Sequence, residues 1–327
     1  MKIEQDKEQF TPLLLQISAL LTKAREAQDP AQLLYEKNFR APLFQLEALS
    51  RIYSSTGPKK KRFTKLKIKF KRLEDLLGQI DYFDAFAKQF SGNARIPETV
   101  LAYFQSNKEK SMQELNKVLK DKGWLDGSQV SKIGTRITKV DWKPKAEHHA
   151  RLLDLYQTET GRIKNFADGE QVSFNDIEAG IHEFRRKLRW LSIYAQALRG
   201  CIKLVAVEKE RTFLKNYVTD EVAGSPYNKL PPPENERFYP LALSKYDFYA
   251  LSWMIEKLGI LKDQGLAILA LSKAIKETDK IKDDREVIIR ADQYLGDQAI
   301  ALDNVLADAN KIKDQFFKDR VLENLVI

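Results

Sequence analysis

Apolar residues recur at three- and four-residue steps along almost the whole chain, and alternating apolar and polar runs are scarce. That period belongs to amphipathic helices rather than to half-buried strands. It predicts helices over residues 8–28, 31–54, 59–90, 97–121, 144–166, 174–206, 208–222, 241–257, 260–281 and 284–320. Breaks are expected at Asp29-Pro30, Gly57-Pro58, Ser91-Gly92-Asn93, Gly123, Pro144 and Ala167-Asp168-Gly169, where helix-stopping residues interrupt the pattern. Two irregular stretches remain: 122–143, with three glycines, and 224–240, with Pro231-Pro232-Pro233. Both keep aromatic and basic residues that can pack on the body, so neither reads as a flexible tether. The fold class is all-α.

Two of these helices carry an unusual polar face. In the helix that begins near Ser173, Ser173 and Asp176 form an N-cap pattern. Ile181, Phe184, Leu188, Leu191, Ala195 and Leu198 make one apolar stripe. Beside that stripe stand His182, Arg185 and Arg189, stacked along one line by their spacing, and Arg186 and Lys187 widen the face. The helix over 59–90 repeats the design, with Phe63, Leu66, Phe70, Leu73, Leu77 and Ile80 as its stripe. Lys61, Lys65 and Arg72 share one exposed side with Arg62 and Lys69, and the first acids, Glu74 and Asp75, come only after the run.

Charge changes the picture most. The chain of 327 residues has a formal net charge of +9, and the nine Lys and Arg between Lys59 and Arg72 carry as much by themselves, so the remainder sums to zero. A basic concentration of this kind is the electrostatic footprint of a polyanion ligand. The 43% hydrophobic and 31% charged composition describes a folded, water-soluble protein. The single cysteine, Cys201, excludes an internal disulfide and reads as a small buried apolar residue. The charged start of the chain lacks a signal peptide's apolar core, and no apolar run approaches the ~20 residues that span a bilayer, so the expected location is the cytosol, without membrane partners.

A faint internal repeat runs through the chain. Placing Phe39-Arg40 on Phe184-Arg185 also puts Leu43 on Leu188 and Leu46 on Leu191. Further along, Leu77-Gly78-Gln79-Ile80 answers Leu258-Gly259-Ile260-Leu261.

The stretch from Ile181 to Arg189 resembles the histidine motif of the CHAD family, the conserved-histidine α-helical domain. That motif runs apolar-His-x-x-Arg, then a base four residues on and another three beyond. His182, Arg185 and Arg189 match it, whereas Ser192 stands at the last base. The family's Leu-Gly-x-x-x-Asp element is matched by Leu258-Gly259 with Asp263. Leu77-Gly78 matches in part, since Tyr82 takes the aspartate position between Asp81 and Asp84. In the first half Lys37 replaces the histidine, Arg40 keeps the arginine and Phe44 replaces the next base. The resemblance implies one domain over 1–327 with pseudo-repeat halves of about 1–170 and 171–327. These would form two pseudo-symmetric antiparallel helical bundles with basic faces lining a shared groove. It also implies binding of inorganic polyphosphate and association with polyphosphate granules.

Other chemistries have little to stand on. His148-His149 are adjacent and so point in different directions on a helix, which leaves no metal site. Glycine-rich phosphate loops are absent from the sequence. The Glu-x-Glu-x-Lys signature of triphosphate-tunnel enzymes fails at Thr212, after Glu208 and Glu210. No carboxylate pair is marked as catalytic. Leu295, Ile300, Leu302, Leu306, Ile312 and Phe316 of the near-neutral C-terminal segment read as core. The expected function is therefore non-catalytic, cofactor-free binding of polyphosphate or a similar polyanion by His182, Arg185, Arg186, Arg189, Arg40, Lys37, Lys61, Arg62, Lys65, Lys69 and Arg72. The alternatives are nucleic-acid binding, with Tyr82 or Phe83 stacking on bases, and a protein-interaction scaffold that has lost its ligand.

Overall fold

A computed structural model describes residues 8–142, 146–167, 173–207, 211–231, 241–296 and 300–327, with the side chains of 146–148 excepted. The breaks expected at Pro144 and Asp168-Gly169, most of the stretch 224–240, Glu208, Glu210 and the His148 side chain lie outside the described residues.

The described chain is all-α in class. Its helices are α1 (Thr11–Arg25), α2 (Pro30–Glu36), α3 (Arg40–Thr56), α4 (Lys60–Ser91), α5 (Glu98–Asp121), α6 (Ser128–Thr138) and α7 (Ala146–Ala167). A π-helical segment, Ile177–His182, runs into α8 (Glu183–Ala197), followed by α9 (Asp220–Gly224), α10 (Lys245–Asp279), α11 (Asp284–Leu295) and α12 (Leu302–Lys318). Two compact units share the chain: Met1–Trp142 with Leu266–Ala299, and Lys143–Gly265 with Ile300–Ile327. The units therefore partition the chain differently from consecutive halves, and α10 contributes to both.

The differences from the expected elements have local causes. The helix expected over 31–54 is cut in two at Asn38, whose φ of 51° is left-handed, a conformation that asparagine tolerates better than most residues. The stretch 122–143 holds a helix after all: Gln129, Ile133 and Ile137 bury one face of α6, and Gly123 and Gly127 before it with Gly134 inside it masked that period. The helix expected over 174–206 ends at Ala197, and Gly200, with φ of 74°, turns the chain into strand β1 (Ile202–Val205). Strand β2 (Leu241–Ser244) lies parallel to it, Ile202 opposite Leu241, so the helix expected from 241 starts four residues late. That helix then continues through Leu258-Gly259 without the expected break. Over 208–222 the described part is a 3₁₀ turn, Thr212–Tyr217, and the short α9. The single helix expected over 284–320 divides after Leu295, where Gly296 has φ of 55°.

Both stripes read from the sequence are core. Phe63, Leu66, Phe70, Leu73, Leu77 and Ile80 of α4 are buried, as are Ile181, Phe184, Leu188, Leu191, Ala195 and Leu198 around α8. Cys201 is buried too. In α12 the buried positions are Val305, Ala309, Lys313 and Phe316, while Leu302, Leu306 and Ile312 are half-buried. Among the described residues no helix is long and apolar enough to cross a membrane.

Candidate functional site

The histidine motif is built at a distorted helix start. Asp176, not Ser173, is the cap, its carboxylate accepting from the Ala179 amide at 2.5 Å. The π-helical turn that follows ends at His182, and such turns are rare and often accompany functional sites. His182 Nδ1 lies 2.7 Å from Glu178 Oε2, one turn back, and this bond holds the Glu178 carboxyl below its ordinary range. Arg185 turns inward. Its Nε donates to the Ile255 carbonyl at 2.8 Å, and burial, aided by Arg189 and opposed by Asp263, pushes its guanidinium down to about 10. Arg186 pairs with Glu183 at 2.5 Å, and Lys187 pairs with the same carboxylate at 3.3 Å. Arg189 is half-buried beside Arg185.

Glycine makes the inward turn possible. A Cβ at position 259 would stand 3.0 Å from Arg185 Nε and 3.1 Å from Nη2, so the guanidinium lies flat on the bare helix surface at Gly259. The first unit repeats this arrangement. A Cβ at position 78 would stand 2.7 Å from Arg40 Nη2. Arg40 also donates to Glu74 at 2.6 and 2.8 Å and to Asp81 at 3.1 Å, while covering the Phe44 ring. In each unit, then, the arginine of the repeat sits on the glycine of the Leu-Gly step. Its partners come from the turns on either side: Glu74 and Asp81 around Gly78, the Ile255 carbonyl and Asp263 around Gly259. Asp81 takes the charge-balancing place three residues after Gly78, where Asp263 stands four after Gly259. Ser192, at the motif's last base position, is buried.

The lysine run behaves differently. On α4 two of its cations are paired, Lys71 with Asp75 and Arg72 with Glu114. Arg62 donates to the carbonyls of Arg136 and Lys139, at 2.7 and 3.3 Å, at the negative end of α6. Among the described residues Lys61, Lys65 and Lys69 have no acidic partner. Lys61 and Lys65 are exposed and Lys69 is half-buried. The Lys69 ammonium is held below its ordinary value by burial, and further by Arg136, Lys122 and Lys132. Lys37, at the end of α2, is exposed and lines a shallow open depression with Asp29, Gln32, Glu36 and Asn116.

Lys122, Lys132 and Arg136, which act on Lys69, are cations that sequence reasoning did not single out. Their signal was present: Lys132 and Arg136 lie one turn apart on a helix, but 122–143 read as irregular. The aromatic residues within the basic run are spent inside the protein, while Tyr82 and Phe83 beyond it are half-buried. Phe70 packs on Trp124 at 6.4 Å and Phe63 on Trp142 at 5.6 Å. Tyr82 and Phe83 pack on each other at 5.2 Å, with Phe86 and Tyr103 around them. Comparisons with family models, curated proteins and solved structures found no match for the chain.

Proposed function

We propose that this protein binds a phosphate polyanion, inorganic polyphosphate being the best fit, and holds it without transforming it. The observation that carries this reading is the acid-free flank of α4, where Lys61, Lys65 and Lys69 stand without acidic partners at the start of a 32-residue helix. Lys61, in the first turn, opposes the helix dipole, and the three lysines add to the run's mutual repulsion, which a bound anion relieves. Arg40, Arg62, Arg72, Arg185, Arg186 and His182 have partners within the protein, so in this reading they shape the scaffold and supply background charge. Lys37 and Arg189 add to the background.

Polyphosphate is favoured over nucleic acid because Phe63 and Phe70, the aromatics within the basic run, are buried against Trp142 and Trp124 and do not stand beside the lysines as platforms for bases. The test is a competition between long-chain polyphosphate and single-stranded DNA at matched phosphate and near-physiological salt. Polyphosphate is expected to win, with an affinity that falls steeply as salt rises. Lys61→Gln, Lys65→Gln and Lys69→Gln together should weaken binding and flatten the salt dependence in a protein that still folds. Unchanged affinity in that folded variant would make the run a solvated face.

A further inference from the structure

The flank of α4 does not face open solvent along its whole length. Arg62 ties it to the end of α6 through the carbonyls of Arg136 and Lys139, and Phe70 and Phe63 seat it against Trp124 and Trp142. The segment 122–142 therefore runs beside α4 within the first unit. On α6 the buried residues Gln129, Ile133 and Ile137 define the inner face. Lys132 and Arg136 lie on a neighbouring flank, one turn apart, and both are exposed. Lys122 is the exposed cap of α5 on the same segment.

All three act electrostatically on Lys69, and the Arg62 bonds and the Phe70–Trp124 contact hold their segment against the same helix. Ordinary folds separate such charges or place a carboxylate between them. Here Glu114 holds Arg72, and Asp126, which accepts from the Ser128 amide at 2.8 Å, is the acid that feels Lys132, though without a salt bridge to it. Among the described residues Lys69, Lys122, Lys132 and Arg136 have no ion-pair partner.

We propose that Lys122, Lys132 and Arg136 form a second wall opposite Lys65 and Lys69, making a two-sided cleft that clamps a short run of condensed phosphate. This rests on the polyanion reading above and adds to it a second wall, drawn from neither the motif nor the lysine run. The crowding of cations from both walls selects a ligand with dense charge and nothing between its phosphates. A phosphoanhydride chain has that form, whereas a phosphodiester backbone spaces single charges with sugars. Arg136 offers a planar fork to phosphate oxygens, and the lysines act as point charges.

Like-charge crowding also makes the ligand-free protein less stable than it would be without one wall, which separates this site from a structural cluster. The experiment measures tripolyphosphate affinity by calorimetry and ligand-free thermal stability for the parent and for K132Q/R136Q. The substitutions leave the Arg136 carbonyl that Arg62 uses. The expected result is an affinity loss of about tenfold or more, with a ligand-free melting temperature equal to or above the parent's. K122Q serves as a second variant outside α6, with a smaller loss in the same direction.

A folded K132Q/R136Q that binds tripolyphosphate as the parent does, while K61Q/K65Q/K69Q loses binding, would overturn the second wall and leave the polyanion reading standing. A parent that binds neither tripolyphosphate nor long-chain polyphosphate would overturn both. A marked fall in ligand-free stability in K132Q/R136Q and K122Q alike would show the cations holding the fold, against the proposal. Tighter binding of single-stranded DNA than of polyphosphate, lost in the same variants, would replace the condensed-phosphate ligand with nucleic acid.

Discussion

At the scale of single residues, the chain spends its most motif-like cations on itself. Arg40 and Arg185 each lie on a glycine that leaves room for the guanidinium, with partners from adjacent turns. An exposed helical glycine normally gains about 1 kcal/mol on becoming alanine. At Gly78 the new methyl would push on Arg40 while Glu74 and Asp81 hold that side chain in place. Gly78→Ala should therefore destabilise the protein by roughly 1 kcal/mol, and stabilise it by up to about 1 kcal/mol in an Arg40→Ala background. Chemical denaturation of the four proteins in this cycle reads the change of sign; additive effects would refute the contact. Glu47 offers a second residue-level test. Its Oε1 accepts from Arg51 at 2.7 and 2.8 Å, its Oε2 is buried without a partner, and burial raises its carboxyl above the ordinary 4.5. A raised native value favours the protonated form. The stabilising contribution is thus full below about 4.5 and disappears as pH climbs through the native value. Glu47→Gln removes the titration, so its stability relative to the parent should improve from acid to neutral pH. A difference that stays flat with pH would rule this out.

At the scale of elements, amphipathic period and capping account for most of what forms, and the exceptions are instructive. The stripes of α4 and α8 were legible because apolar residues at helical spacing must be covered, and every stripe residue named is buried. Asn38 could have been read as a stop, since asparagine is among the few residues that accept its left-handed φ of 51°. Replacing it with alanine should cost about 1–2 kcal/mol, and with glycine much less; equal losses in thermal unfolding would show that the side chain, not the backbone, sets the α2–α3 turn. Strands β1 and β2 were beyond local reading. Four residues carry too little pattern, and their ladder joins positions 202–205 to 241–244 across a long connection. Helix α6 was hidden for the opposite reason, because two glycines before it and Gly134 within it outweighed a clear three-residue stripe. That oversight removed Lys132 and Arg136 from view.

At the scale of the whole molecule, the all-α class, the concentration of positive charge and the two apolar stripes follow from the sequence alone. Each depends on composition and on neighbours a few residues apart, which is the range over which helices and their faces are decided. The correspondence of Phe39-Arg40 with Phe184-Arg185, and of the two Leu-Gly steps, was also visible there. Its meaning was not. Only the tertiary structure brings Arg40 to Gly78 and Arg185 to Gly259, turning two short matches into the same contact built twice, once in each unit. The same holds for charge. A sequence counts cations, but whether a cation is available depends on which carboxylate or carbonyl the fold places beside it. Arg72 meets Glu114 on another helix, Arg62 meets the end of α6, and Lys69 lies within the electrostatic reach of three further cations. Ion pairing acts through space at a few ångströms, between residues dozens of positions apart, so local pattern set where charge was plentiful and packing decided where it stayed uncompensated.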